Sequence, residues 1–204
     1  MDLFEIRNWF AHNLCDYLRE KEEEDLLKLK AVISSVLSEN SNVPEAILDE
    51  VVSELPFFVK DRNSLKFIPN DPITEEYVRK KAEKYREFLK ELPDDFEPVE
   101  EDVEKNVKMA RFLFEKGLYF EVHEILEEVW MGKFGKEREF LQALIQLGVA
   151  YYHLSNYNIR GFRLLLENAL ELLRDYSGTI CTVNVDKLKE NIKRAIETEE
   201  VISF

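Results

Sequence analysis

The stretch FEVHEILEEVW at residues 120–130, followed by KEREFLQALIQLGVAYYH at residues 136–153, decides the fold of this chain. In both segments, apolar residues recur at the three- and four-residue steps of a helix. The second segment is apolar nearly all round, which is typical of a central, buried helix. Because only residues 131–135 connect the two, the helices are expected to run antiparallel. The sequence therefore predicts a helical hairpin at the centre of an all-α protein.

Polar side chains interrupt both helices on one side. At about 100° per residue, His123, Glu127 and Trp130 fall within one narrow arc of the first helix. The acidic residues of a different arc, for which we predict exposure to solvent, are Glu121, Glu124 and Glu128. The second helix carries a polar stripe that consists of Arg138, Gln142, Gln146 and His153. Since an unpaired buried amide costs about 1–3 kcal/mol, these groups are expected to face something polar.

Folding the hairpin about the midpoint of its connection brings the two polar arcs together. Glu127 then reaches Arg138 or Gln142. On the same register, His123 reaches Gln142 or Gln146. We therefore expect Glu127→Gln to strand a buried Arg138 and to lower the free energy of unfolding by about 3–5 kcal/mol.

The combination HxxxExxW, then RxFxQxxIQ, then a later histidine resembles the uncharacterised prokaryotic family catalogued as domain of unknown function 309. The residues that carry the resemblance are His123, Glu127, Trp130, Arg138, Phe140, Gln142, Ile145, Gln146 and His153. It covers roughly residues 103–175, with a weaker echo at 183–186, and departs from the family at Ala143, where glycine is common. The resemblance implies an all-helical bundle and suggests metal binding, without an established reaction. His153 lies about 16 Å along the helix from Gln142, so it would line a longer groove.

The first half of the chain is predicted to be a separate helical domain, residues 1–92, joined by a proline-rich linker, residues 93–99. A first helix is expected to carry the apolar face from Leu3 to Tyr17, and further helices are expected at about 23–39, 43–54 and 73–91. Two short strands around a polar turn are expected between 57 and 68. Three helices followed by such a hairpin are the elements of a winged helix. The third helix carries acids where a DNA-binding helix needs positive charge, namely Glu45, Asp49, Glu50 and Glu54. We therefore expect this domain to serve protein contact or packing.

The second half, residues 100–204, is predicted to be a helical bundle that carries the family motif. Its helices are expected near 100–116, 119–131, 136–154, 157–175 and 185–199. A shift of 40 residues aligns Ala110 with Ala150, Leu126 with Leu166, and Glu127 with Glu167. This faint repeat predicts two related hairpins that resemble degenerate tetratricopeptide units.

Composition excludes several classes of protein. The 28 basic and 42 acidic residues give a net charge of −14, and no basic run is present, so we expect no nucleic-acid partner. No stretch approaches the roughly 18 apolar residues of a membrane span, and the N-terminus lacks the pattern of a signal peptide. We therefore predict a cytoplasmic protein with no membrane partner, in which Cys15 and Cys181 are reduced. Abundant Glu and Lys, with only two Gln, favour a thermophilic source.

The first interpretation of the polar arcs is a divalent metal site, for instance for zinc. His123 and Glu127, four residues apart, offer a nitrogen and an oxygen from adjacent helical turns. Two ligands are few, and Glu167 is the best additional one because the repeat aligns it with Glu127. Arg138 argues against a cation, since a guanidinium beside Glu127 would neutralise the carboxylate.

A second interpretation needs no metal. His123 and Glu127 would be a catalytic acid/base pair, because a histidine beside a carboxylate can be tuned across neutral pH. The residues that would bind a small polar or anionic ligand are Trp130, Arg138, Gln142, Gln146 and His153. Arg160 and Arg163, at the start of the next helix, would add positive charge. Either interpretation is compatible with a hydrolytic enzyme.

Two non-enzymatic interpretations compete with these. The polar cluster could be a structural network that only fixes the register of two hairpins. Alternatively, the hairpins could form a protein-interaction module whose groove holds a peptide. The oligomeric state stays open, with a homo-oligomer among the alternatives.

Overall fold

The computed structural model describes residues 2–40 and 42–204, and over these residues the protein is all-α, as predicted. The helices of the described residues are α1 (Leu3–Glu20), α2 (Glu23–Leu37), α3 (Glu45–Glu54), α4 (Pro72–Glu91), α5 (Val103–Glu115), α6 (Tyr119–Met131), α7 (Gly135–Ser155), α8 (Ile159–Leu172) and α9 (Val185–Thr198). Two short antiparallel hairpins accompany them: β1 (Phe58–Asp61) with β2 (Ser64–Phe67), and β3 (Thr179–Ile180) with β4 (Val183–Asn184). The chain forms two compact units, Met1–Pro98 and Val99–Phe204. Among the described helices, none is both long and apolar enough to cross a membrane.

The first unit begins with a well-capped helix. The Asp2 carboxylate accepts hydrogen bonds from two backbone amides, and Glu5 accepts one from the Asp2 amide, which completes a capping box at the start of α1. After α2 and α3, strands β1 and β2 form the hairpin predicted between residues 57 and 68, with Phe58 opposite Phe67. The assignment of this unit as a winged helix stays a prediction.

The acidic face of α3 is covered in part by the hairpin that follows it. Lys60, on β1, lies 2.5 Å from a carboxylate oxygen of Glu45 and 2.7 Å from one of Asp49. These contacts hold the hairpin against α3 and agree with a packing role for that helix.

The 40-residue repeat of the second unit appears in the backbone of two turns. Gly117, between α5 and α6, has φ +68°, and Tyr157, between α7 and α8, has φ +60°. In the first turn, the Leu118 amide donates to the Leu113 carbonyl at 2.9 Å, and in the second, Asn158 donates to His153 at 2.9 Å. Both hairpins therefore use the same turn, with glycine at the left-handed position in one and tyrosine in the other. Their assignment to tetratricopeptide units stays a prediction.

Helix α7 is the centre of the second unit and packs against both α6 and α8. A Cβ atom on Gly148 would lie 2.8 Å from Val122 Cγ1 and 3.0 Å from the Tyr119 carbonyl oxygen, so α6 and α7 approach closely because this residue has no side chain. Since Val122 faces Gly148, His123 is level with Leu147, two residues beyond the predicted Ile145. The close approach at Gly148, rather than the midpoint of the connection, sets the register.

The hairpin of β3 and β4 was not predicted. Each strand has only two residues, Thr179–Ile180 and Val183–Asn184, which is too short to produce an alternating pattern. Helix α8 correspondingly ends at Leu172, earlier than the predicted limit of 175.

Candidate metal centre

Three side chains of α6 form a compact group, which we call the α6 cluster: His123, Glu124 and Glu127. One potential ligand atom from each lies within 4.8 Å of those of the other two. His123 Nδ1 is 2.9 Å from Glu124 Oε1, and His123 Nε2 is 3.5 Å from Glu127 Oε2. The imidazole therefore lies between two carboxylates, one on each of its nitrogens.

The helix explains this geometry. Residues four apart lie on the same face in successive turns, which brings Glu127 to His123. Glu124 directly follows His123 in the sequence and does not lie one turn away from it. Its side chain is nevertheless long enough to reach the His123 imidazole. The side chains of His123, Glu124 and Glu127 are 25%, 15% and 45% exposed. The cluster is therefore open to solvent mainly on the Glu127 side.

The prediction that Glu121 and Glu124 face solvent is wrong, whereas Glu128 is exposed as predicted. Glu121 is only 1% exposed, and Glu124 is half-buried against His123. The reason is that α6 packs against α5 as well as α7, so it buries more than one face. The apolar stripe in the sequence of α6 indicates one buried face and does not reveal that a second helix covers another face.

Aromatic rings enclose one end of the cluster. The Phe120 ring centroid lies 5.8 Å from that of His123 and 5.6 Å from that of Tyr152 on α7. The Phe120 ring therefore covers one side of the imidazole, whose nitrogens face the carboxylates.

Arg138 does not pair with Glu127. Its guanidinium carbon lies 3.6 Å from the centroid of the Trp130 ring, and Nη1 donates to the carbonyls of Trp130 and Lys133, each at 3.3 Å. The indole face and the negative C-terminal end of α6 both favour a cation at this place. Within the part of the chain that the structure describes, no ion pair joins Arg138 to Glu127. The guanidinium therefore does not neutralise the carboxylate, and this objection to a bound cation no longer holds.

The two glutamines continue the polar stripe of α7 without contacting the cluster. Gln142 and Gln146 are half-buried, and in residues 2–40 and 42–204 no hydrogen bond joins either amide to the α6 cluster. Gln146 Oε1 is buried and has no hydrogen-bond partner among these residues. From the contact of Val122 with Gly148, Gln146 is level with Glu124. The stripe therefore runs along α7 at the level of the cluster, and the Gln146 carbonyl oxygen in it has no hydrogen-bond partner among the described residues.

The remaining candidates lie elsewhere. His153 lies in the last turn of α7, where its Nδ1 is 3.0 Å from the side-chain amide nitrogen of Asn158. Glu167, the predicted additional ligand, is outside the cluster and lines a shallow groove on α8 with Arg160 and Arg163. Glu124, rather than Glu167, is the third residue of the α6 cluster. The sequence signal that could have identified it is the adjacent pair His123–Glu124, followed three residues later by another glutamate.

Comparison with known proteins finds two similarities that include this site. Residues 107–165 match the family model described as "Domain of unknown function (DUF309)". A relative from Bacillus subtilis (strain 168), described as "Uncharacterized protein YpuF", is 34% identical over 88 residues, which are 42% of this chain and 51% of the relative. The chain thus spans about half the length of this relative. The match over residues 107–165 confirms the resemblance indicated by the motif.

Proposed function

We propose that the α6 cluster binds one divalent transition-metal cation, with zinc as the best candidate. His123 Nε2 and a Glu127 oxygen would be its ligands, while Glu124 would accept a hydrogen bond from Nδ1–H. The separation of 3.5 Å between Nε2 and Oε2 is the observation that carries this proposal. Two ligands on tetrahedral zinc, each about 2.0–2.1 Å from the ion, are about 3.3 Å apart. The pair therefore needs almost no movement to share a cation.

The position of Glu124 supports the same assignment. A histidine that binds a metal through one nitrogen commonly donates its other N–H to a carboxylate, which fixes the tautomer and the ring orientation. Glu124 Oε1, at 2.9 Å from Nδ1, is placed for that hydrogen bond. Imidazole and carboxylate are a donor set that suits zinc and other first-row divalent ions.

Two protein ligands leave coordination positions for a small polar ligand, and hydrolysis is the reaction class to test first. A bound cation would supply Lewis acidity there. The chain's own contribution would be the His123 imidazole and the accessible Glu127 carboxylate.

The same atoms argue against a purely structural network. A network that only fixes register would be expected to satisfy all its members. Here Gln146 Oε1 and Trp130 Nε1 are both buried without a partner among the described residues, and Arg138 is held apart from Glu127.

The test is zinc titration by calorimetry on protein prepared without a histidine tag and stripped with a chelator. The wild type is expected to bind one equivalent. His123→Ala should abolish binding, and Glu127→Gln should weaken it at least tenfold. Glu124→Gln should weaken it less, because that residue orients the histidine.

Two matched variants control for adventitious binding. Glu128→Gln removes an exposed carboxylate from the next position, and His153→Ala removes a histidine of the same unit; both should bind zinc like the wild type. Equal affinity of the wild type and His123→Ala would disprove the proposal.

A further inference from the structure

The outer face of α8 carries a stripe that the protein does not cover. We call it the α8 stripe, and its residues are Arg160, Arg163, Leu164 and Glu167. Leu164 is 55% exposed in the middle of it, and the four line a shallow groove of about 460 Å³ together with Ile159. The opposite face of α8 is buried in the unit through Phe162, Leu166 and Ala169. The stripe is therefore a true outer surface of the helix, with an apolar centre.

Charge along the stripe changes sign from one end to the other. Arg160 stands near the start of α8, and Glu167 stands seven residues later on the same face. Neither has an ion-pair partner within residues 2–40 and 42–204, whereas Arg163 pairs with Glu199 at 2.9 Å. Seven residues span about 10.5 Å, so Arg160 and Glu167 cannot pair within one helix.

We propose that the α8 stripe binds the same stripe of a second copy of this chain, with the two helices antiparallel about a two-fold axis next to Leu164. In this arrangement Arg160 of each copy faces Glu167 of the other, and the two Leu164 side chains meet at the centre. An interface about a two-fold axis uses the same patch twice, so it must be self-complementary. The ends of the stripe have this property because Arg160 and Glu167 are equally far from Leu164 to within one residue, and Arg163, next to the axis, pairs with Glu199 of its own copy.

Other partners fit the stripe less well. An acidic peptide would be attracted by Arg160 but repelled by Glu167 at the other end of the stripe. A basic partner would be attracted by the chain but repelled by Arg160 and Arg163. Only a helix with the reversed order of charges satisfies both ends, and an antiparallel copy of α8 supplies it.

A contact one helix wide is small, so the dimer is expected to be weak and dependent on salt. Interfaces that bury less than about 1,200 Å² belong to transient complexes. Exposed charges are screened within about 8 Å at physiological ionic strength, so added salt should weaken the association. The proposal does not depend on metal binding, and His123→Ala should dimerise like the wild type.

The test is sedimentation equilibrium of the full chain and of charge-reversed variants. Arg160→Glu and Glu167→Arg should each weaken dimerisation at least tenfold, because each places like charges opposite one another twice. An equimolar mixture of the two single variants should dimerise again, since each then meets its complement. The double variant R160E/E167R should also dimerise. Circular dichroism controls for folding, and both reversals suit the helix dipole, which favours acids early and bases late.

A cross-linking experiment gives an independent answer. Leu164→Cys in a Cys181→Ser background should form a disulfide-linked dimer on mild oxidation, because the remaining Cys15 is buried. Glu190→Cys, on the exposed surface of α9, is the matched control and should not. A wild type that stays monomeric at millimolar concentration, or a mixture of single variants that fails to associate when the wild type does, would overturn the proposal.

Discussion

The guanidinium of Arg138 lies over the face of the Trp130 ring, with its carbon 3.6 Å from the ring centroid. The same group donates to the Trp130 carbonyl in the last turn of α6 and to the Lys133 carbonyl just after the helix. Arg138 is thereby a structural partner of Trp130, and Glu127 is left to His123. This division of roles determines which variants should lose stability and which should lose only metal binding.

Glu127→Gln should change the free energy of unfolding of the metal-free protein by less than about 0.5 kcal/mol. The carboxylate is 45% exposed and pairs only with His123 among the described residues, so its removal strands no buried charge. This expectation replaces the 3–5 kcal/mol that pairing with Arg138 would imply. Urea unfolding of the chelator-treated protein measures it, and a loss above about 2 kcal/mol would show that Glu127 has a buried partner.

Arg138 and Trp130 should be energetically coupled. In a double-mutant cycle of Arg138→Gln and Trp130→Leu, we expect a coupling energy of about 0.5–2 kcal/mol, because the guanidinium rests on the indole face. Arg138→Lys should recover only part of this, since an ammonium lacks the planar group that stacks. The measurement is thermal or urea unfolding of the four proteins of the cycle, and strictly additive effects would contradict the contact.

Gly148→Ala should destabilise the second unit by about 1–3 kcal/mol, despite the better helix propensity of alanine. The new methyl group would lie 2.8 Å from Val122 Cγ1, which forces α6 and α7 apart. Adding Val122→Ala should restore part of the lost stability by removing that contact. Gly132→Ala is the control, because its nearest neighbour is 3.9 Å away; equal effects at the two glycines would contradict the close approach.

Asp25 should make the stability of the protein depend on pH between about 4 and 6. Burial, with the nearby Asp16 carboxylate, raises its pKa from 3.8 to about 6. The folded state thus holds this proton more tightly than the unfolded state, so the contribution of Asp25 to stability is fully present below about pH 4 and is lost as pH rises to about 6.

Asp25→Asn should remove that loss and raise the unfolding free energy at pH 7.5 by about 1 kcal/mol, a value reduced for the solvent exposure of this half-buried group. Thermal unfolding of both proteins at pH 4.5 and 7.5 measures the difference. The exposed Glu83→Gln serves as control. If Asp25→Asn were less stable than the wild type at pH 7.5, the folded protein would favour the ionised Asp25 carboxylate, which would contradict this prediction.

Much of the fold could be predicted because it follows from local pattern. The helices around His123 and Gln146 are long, and their apolar residues recur with the period of a helix. This spacing can be seen in the sequence alone. The pairing of His123 with Glu127 was predictable for the same reason, since i, i+4 neighbours meet on any helix. The family motif was recognisable in the same residues.

The parts that could not be predicted depend on contacts between elements. Glu121 and Glu124 are withdrawn from solvent because α5 covers a second face of α6, which no periodicity within α6 reports. The contact of Arg138 with the Trp130 ring could not be predicted, because a long side chain can reach several partners and only the tertiary structure shows which one it contacts. The hairpin of β3 and β4 is too short to leave a pattern.

The amino-acid sequence by itself determined the helical character of this protein, the order of its elements and the histidine–glutamate pair on α6, because each depends on residues close together in the chain. Only the tertiary structure decided that Glu124 joins this pair, that Arg138 stands apart from it and that Gly148 sets the register of the hairpin. These features follow from how closely two helices can pack, and that distance is set by side chains far apart in sequence.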